Sequence, residues 1–168
     1  MKKISVLLIA LVSSMSAFSQ GKDVVDIAVG SADHTTLVAA VKAADLVTTL
    51  KSDGPFTVFA PTNAAFDKLP EGTVANLLKP ENKAQLAKIL TYHVVSGNLD
   101  AAAVLDAIKK GDGKVVLTTV SGGKLTASLD MGKVKLTDEA GNSAYVTVAD
   151  LKGTNGVIHV IDAVVLPR

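Results

Sequence analysis

The hydrophobic period of this chain changes near Lys114, from 3.6 residues before it to 2 residues after it. Helical patterns come first. Val24, Val25, Ile27 and Ala28, then Leu37, Val38, Val41 and Ala44, recur at three- and four-residue spacings, and Leu46, Val47 and Leu50 continue the pattern until Asp53-Gly54-Pro55 stops it. Phe56 to Ala60, aromatic and β-branched between two prolines, predicts one short buried strand. Thr62 is placed to cap a helix over 63–69 through its hydroxyl. Pro80-Glu81 opens another, with proline where no amide is needed and a carboxylate near the positive end of the dipole; Leu86, Ile89 and Leu90 form its apolar face. Asp100 caps a third, with Val104, Leu105 and Ile108 toward the core and Gly111 at its end. Beyond Lys114, residues 115–120 and 124–129 flank the turn Ser121-Gly122-Gly123, and 133–137 alternates polar and apolar as a half-wet strand does. A turn-rich stretch from Asp138 to Asn142 leads to a strand over 145–148, and Thr154-Asn155-Gly156 leads into a last, nearly all-apolar strand. With no repeat, linker or low-complexity tract, the prediction is one α+β domain over residues 22–167.

The N-terminus reads as an address rather than as part of that fold. Lys2 and Lys3 precede an apolar run from Ile4 to Val12 and a small-x-small site at Ala17-Phe18-Ser19, the pattern of a cleavable signal peptide over residues 1–19. The run is too short to span about 30 Å of hydrocarbon, so no integral membrane anchor is expected. The expected protein is secreted or periplasmic, its mature chain starting near Gln20. Its leader looks bacterial. The full chain carries 17 basic and 16 acidic residues; losing Lys2 and Lys3 puts the acids one ahead, which gives no reason to expect nucleic acid as a partner. There is no Cys, so the exported fold must hold by packing alone and thiol chemistry is excluded.

Catalytic patterns are thin. His34, His93 and His159 are widely separated and none stands at metal-ligand spacing to another His or a carboxylate cluster. His159 and Asp162, three apart on a strand, point to opposite faces unless a bulge intervenes. No Gly-x-Ser-x-Gly elbow or phosphate-binding glycine motif occurs. The expectation is a non-enzyme with no catalytic residue, metal or cofactor. His93 and His159 are expected to be buried imidazoles satisfied by backbone groups, Asn63 to bond turn or helix-start backbone, and Phe59 and Phe66 to be core.

Two blocks and a pair between them carry a family resemblance. Thr57-Val58-Phe59-Ala60-Pro61-Thr62-Asn63-Ala64-Ala65-Phe66 and Gly156-Val157-Ile158-His159-Val160-Ile161-Asp162-Ala163-Val164-Val165-Leu166-Pro167 resemble the two signature segments of the fasciclin (FAS1) domain, and Tyr92-His93 lies where that family has a Tyr-His pair. The resemblance implies a FAS1-type β-sandwich or wedge with N-terminal and flanking helices, and the life of an extracellular adhesion or matrix module. It also implies partner-contact positions. Asp150-Leu151 stands where animal members carry an Asp-Ile pair implicated in receptor binding, with Leu in place of Ile, and Tyr92-His93 matches a second implicated element; for both, a turn cap and core packing are the structural alternative. His34 departs from the family, which often has an aromatic or apolar residue there.

Two functions follow as expectations. The first is adhesion to an extracellular protein or polysaccharide through exposed rims and loops, with 150–153 as the candidate and a filled core. The second is carriage of a lipophilic small molecule such as a pigment, which needs a concave apolar site. The shortage of aromatic rings favours adhesion. Oligomeric state is not readable from the sequence.

Overall fold

Asp23 starts the first helix by accepting the amide of Asp26 at 2.8 Å while the Asp26 carboxylate reaches back to the Asp23 amide, a reciprocal cap. This is seen in a computed structural model, which describes residues 21–168; the expected leader and mature start lie outside the described residues. Helix α1 (Val24–Val29) is followed by a 3₁₀ turn (Ala32–His34), α2 (Thr35–Ala43) and α3 (Val47–Leu50). Strand β1 (Phe56–Pro61) leads to α4 (Asn63–Asp67), where Thr62 Oγ1 accepts the Ala65 amide at 3.2 Å. Then come α5 (Thr73–Leu77), a 3₁₀ turn (Pro80–Asn82), α6 (Lys83–Tyr92), β2 (Val94–Ser96) and α7 (Ala101–Lys110). The rest is strand: β3 (Lys114–Thr118), β4 (Lys124–Asp130), β5 (Lys133–Thr137), β6 (Ser143–Gly153) and β7 (Gly156–Ile161).

The seven strands form one sheet in the order β2-β1-β7-β6-β5-β4-β3. Among the described residues only β1 and β7 pair in parallel, from Phe56 opposite Gly156 to Pro61 opposite Ile161, so the two signature blocks lie side by side within the sheet. The sheet curls until its ends nearly meet, where Val95 bridges Thr119 and the Val120 amide donates to Val94 at 2.8 Å. Inside the curl a second core gathers Phe59, Tyr92, Ile108, Leu125, Leu136 and Ile161. The outer face of β1, β2 and β7 packs against α1, α2 and α6 around Val24, Leu37, Val58, Leu90 and Ile158. The result is the expected α+β wedge, its sandwich made from one curled sheet.

Three local expectations shift. The helix after Thr62 stops at Asp67. Leu105 is half-buried, because Val104 and Ile108 occupy the inner face of α7. Strand β6 is much longer than 145–148, because it continues through two irregularities, between Val146 and Val148 and between Val148 and Leu151, to pair with all of β7. Bulges re-aim a strand without ending it, and they hide the alternation on which strand prediction depends.

Candidate functional site

The second irregularity of β6 centres on Asp150, whose φ of 60° is left-handed. Two neighbours hold it there. Its backbone amide donates to His159 Nδ1 at 3.4 Å, and its Oδ1 accepts the amide of Ala101, the first residue of α7, at 2.7 Å. Asp100 caps the same helix by accepting the Ala103 amide at 2.9 Å. Two carboxylates therefore face the positive end of α7, which favours both. Asp150 is exposed, while Leu151 is half-buried against the outer core.

Tyr92 and His93 lie elsewhere. Tyr92 is 0% and His93 2% exposed, so a partner could reach neither without opening the core. The Tyr92 hydroxyl donates to the Lys124 carbonyl at 2.5 Å and accepts the Glu139 amide at 3.3 Å, joining the β4 start to the turn after β5. His93 Nδ1 donates to the Ile89 carbonyl at 2.8 Å and Nε2 accepts the Val165 amide at 3.2 Å. Burial pushes its pKa down to about 4, so it is neutral at pH 7.

The other signature residues are also tied inward. Thr57 Oγ1 donates to Gly97 at 2.7 Å and accepts the Leu99 amide at 2.9 Å. His159 Nε2 donates to the Leu99 carbonyl at 2.6 Å, and its ring stacks on Phe59 at 5.7 Å. Asn63 reaches another helix start: Oδ1 accepts the Thr36 amide at 3.0 Å and Nδ2 donates to Ala32 at 3.0 Å. Asp162, just past β7, accepts the Tyr145 amide at 2.8 Å. Phe66 and Pro61 are buried and Pro167 is half-buried. At Gly156 a Cβ would collide with the Phe56 backbone, which is why the parallel pair needs glycine there.

Two buried polar hubs had no local sequence signal. Asn155 Oδ1 accepts the Val24 amide at 3.0 Å while Nδ2 donates to Leu50 at 2.7 Å and Ser52 at 2.9 Å, tying α1 and α3 to the start of β7. Asp138 accepts the amides of Ala140, Asn142 and Leu166 at 2.8 to 2.9 Å.

Beside the Asp150 bulge opens a polar cleft of about 180 Å³, walled by Asp53, Asn98, Lys152, Thr154 and Asn155. A second space lies between α1, α2 and the sheet. It is an almost wholly apolar crevice of about 220 Å³, lined by residues such as Val25, Leu37, Val41, Val58 and Ile158. The filled core expected of an adhesion module is thus absent here, because the short helices α1 to α3 do not close down on β1 and β7. At its edge the Lys51 ammonium contacts Asp23 at 3.0 Å and Asp26 at 2.7 Å, and holds the Asp26 carboxyl below the usual range. Among the described residues no group of three or more His, Asp or Glu side chains could hold a metal ion, and no helix is long and apolar enough to cross a membrane.

A family model described as Fasciclin domain matches residues 32–167. The chain belongs to the fasciclin family. The fasciclin chain is similar to Protein sll1483 of Synechocystis sp., with 51% identity covering 93% of this chain and 79% of that one. It is also similar to the immunogenic protein MPB70 of Mycobacterium bovis, 38% identical over 79% of this chain and 63% of that protein. With the transforming growth factor-beta-induced protein ig-h3 of Sus scrofa it shares 38% identity over 86% of this chain and 19% of that protein, so the matched segment corresponds to one part of that longer molecule. Among solved structures, a FAS1 domain pair from the insect cell adhesion molecule fasciclin I aligns with a TM-score of 0.76 at 18% identity, covering 86% of this chain and 51% of that one. The fold is therefore the FAS1 fold.

Proposed function

We propose that this chain is an exported, non-enzymatic binding module that attaches to an extracellular protein or polysaccharide through the rim formed by residues 150–153. The observation that carries the reading is the polar cleft beside that rim, where Lys152, Asn98 and Asp53 offer donors and acceptors of the kind that sugar hydroxyls or a peptide backbone would meet. Membership of the fasciclin family and the fold shared with a cell adhesion molecule support it. In this reading Tyr92 and His93 act from inside, by holding the start of β4, the turn after β5 and the segment after β7 in place. The test is retention of the mature protein on immobilised exopolysaccharide and on envelope proteins of the producing cell. Saturable retention on either supports adhesion, and none on both refutes it.

The apolar crevice favours a second reading, carriage of a lipophilic small molecule. Its lining is aliphatic apart from Phe59, His93 and the charged residues Asp26, Lys42 and Lys51, and its volume lies below the roughly 300 Å³ at which drug-sized sites begin. A large pigment would have to leave most of its length outside. Organic extraction of the natively purified protein, followed by mass spectrometry, tests this reading: a stoichiometric apolar compound supports it, and an empty protein rejects it.

A further inference from the structure

The crevice does not end at the core. A recess of about 20 Å³ shares the walls Ala28, Ala60 and Ile158 with it, so the two adjoin and together make a slot that reaches the N-terminal end of α2. His34 walls the recess at the N-terminal end of that helix, and Lys42 lines the crevice near the other end. Eight residues of helix separate them, about 12 Å at 1.5 Å per residue.

His34 is 6% exposed. Its Nδ1 pairs with Ser31 Oγ at 2.8 Å, whereas its Nε2 is buried without a well-formed hydrogen bond, the Ala60 backbone being its polar neighbour. A buried polar atom left unpaired is rare and calls for a partner. The recess beside it is walled by Ile27, Ala28, Ala60, Leu151 and Ile158 and by Ser31, whose hydroxyl already holds Nδ1, so no side chain of that wall supplies the partner. Burial also pushes the imidazole below its ordinary pKa, against the smaller opposing effects of Ala60 and Asp33, so the ring is neutral near pH 7. A neutral imidazole in an apolar recess is a poor place for a carboxylate and a good one for an uncharged hydrogen-bonding group.

We propose that the slot binds a slender, neutral, single-chain amphiphile, with its hydrocarbon in the crevice and one terminal hydroxyl or carbonyl group hydrogen-bonded to Nε2 of His34. This rests on the carrier reading for the slot itself and adds the polar terminus and the residue that selects it. The volume agrees, since a cavity of about 150 Å³ lined by aliphatic and aromatic side chains already admits benzene, and this one is larger.

The experiment titrates the mature protein with 1-octanol, n-octane and octanoate at equal saturation of the buffer, following the melting temperature and the imidazole ¹⁵N resonances. Octanol should raise the melting temperature, move the His34 Nε2 resonance and bind at least about tenfold more tightly than octanoate. In His34→Leu the octanol response should fall about tenfold while the octane response persists. If that variant does not fold, the ¹⁵N shift in the unaltered protein decides. Octane binding with no octanol-dependent shift at His34 would overturn the polar terminus and leave the slot standing. Failure of all three to bind would overturn the terminus and the carrier reading together.

Discussion

His159 and Asp150 are joined across the β6 bulge: the Asp150 amide donates to one imidazole nitrogen at 3.4 Å while the other nitrogen grips Leu99 at 2.6 Å, just ahead of the helix that Asp150 caps. The signature histidine thus fastens the rim residue, the β2–α7 connection and the stacked ring of Phe59 to one point. Replacing His159 by Ala leaves the Leu99 carbonyl unpaired and removes the stack. It should destabilise the protein by about 1 to 3 kcal/mol in urea unfolding, and it should weaken rim binding even where the chain stays folded.

Asn155→Ala should be among the most damaging single changes to the helical layer. Three backbone groups, two of them buried, lose their partner at once, and the expected loss is about 2 to 4 kcal/mol. Hydrogen exchange localises the effect: amides of α1 and α3 should lose protection well before those of β4 and β5. Uniform loss of protection would contradict the assignment.

Stability should fall in mild acid through His93. Its folded pKa of about 4 lies below the ordinary 6.5, so the unfolded chain binds the proton first. The contribution is whole above about pH 6.5 and drains as pH falls toward 4, by up to about 3 kcal/mol. His34, also pushed down by burial, acts in the same direction. Urea midpoints between pH 7 and 4 read this out, and His93→Gln should flatten the slope. A parent protein with no slope in that interval would contradict it.

Gly156→Ala should disrupt the central pair of strands, since the added methyl meets the Phe56 backbone rather than a side chain that could turn away. Gly123→Ala meets the Tyr92 ring at 2.6 Å, a side chain already pinned at its hydroxyl. Both variants should unfold at lower urea than the parent. Gly72→Ala, where nothing lies within 4 Å, carries only the strain of its φ of 81° and should be milder.

What could be read from the sequence was local. The Thr62 and Asp100 caps needed only a hydroxyl or carboxylate ahead of a helical pattern, and β5 showed its alternation over the same five residues that form the strand. The two signature blocks announced a family because their order and spacing are specific. What could not be read depends on distant chain meeting distant chain. Asn155 and Asp138 look like turn residues, yet their bonds reach across as many as 131 and 28 positions. The bulge at Asp150 breaks the period of two, so β6 looked short. The crevice comes from how closely three short helices approach a sheet, which no pattern of single residues records.

The central claim is that the rim and its cleft do the binding. The most direct measurement compares the parent with an Asn98→Ala, Lys152→Ala double variant for equilibrium binding to the extracellular polymer or envelope protein that retains the parent. Asn98 and Lys152 are exposed and make no side-chain hydrogen bond among the described residues, so the variant should unfold at the parent's urea midpoint. The account predicts at least about tenfold weaker binding with stability unchanged. Undiminished binding by the double variant would contradict it and move the site away from the cleft.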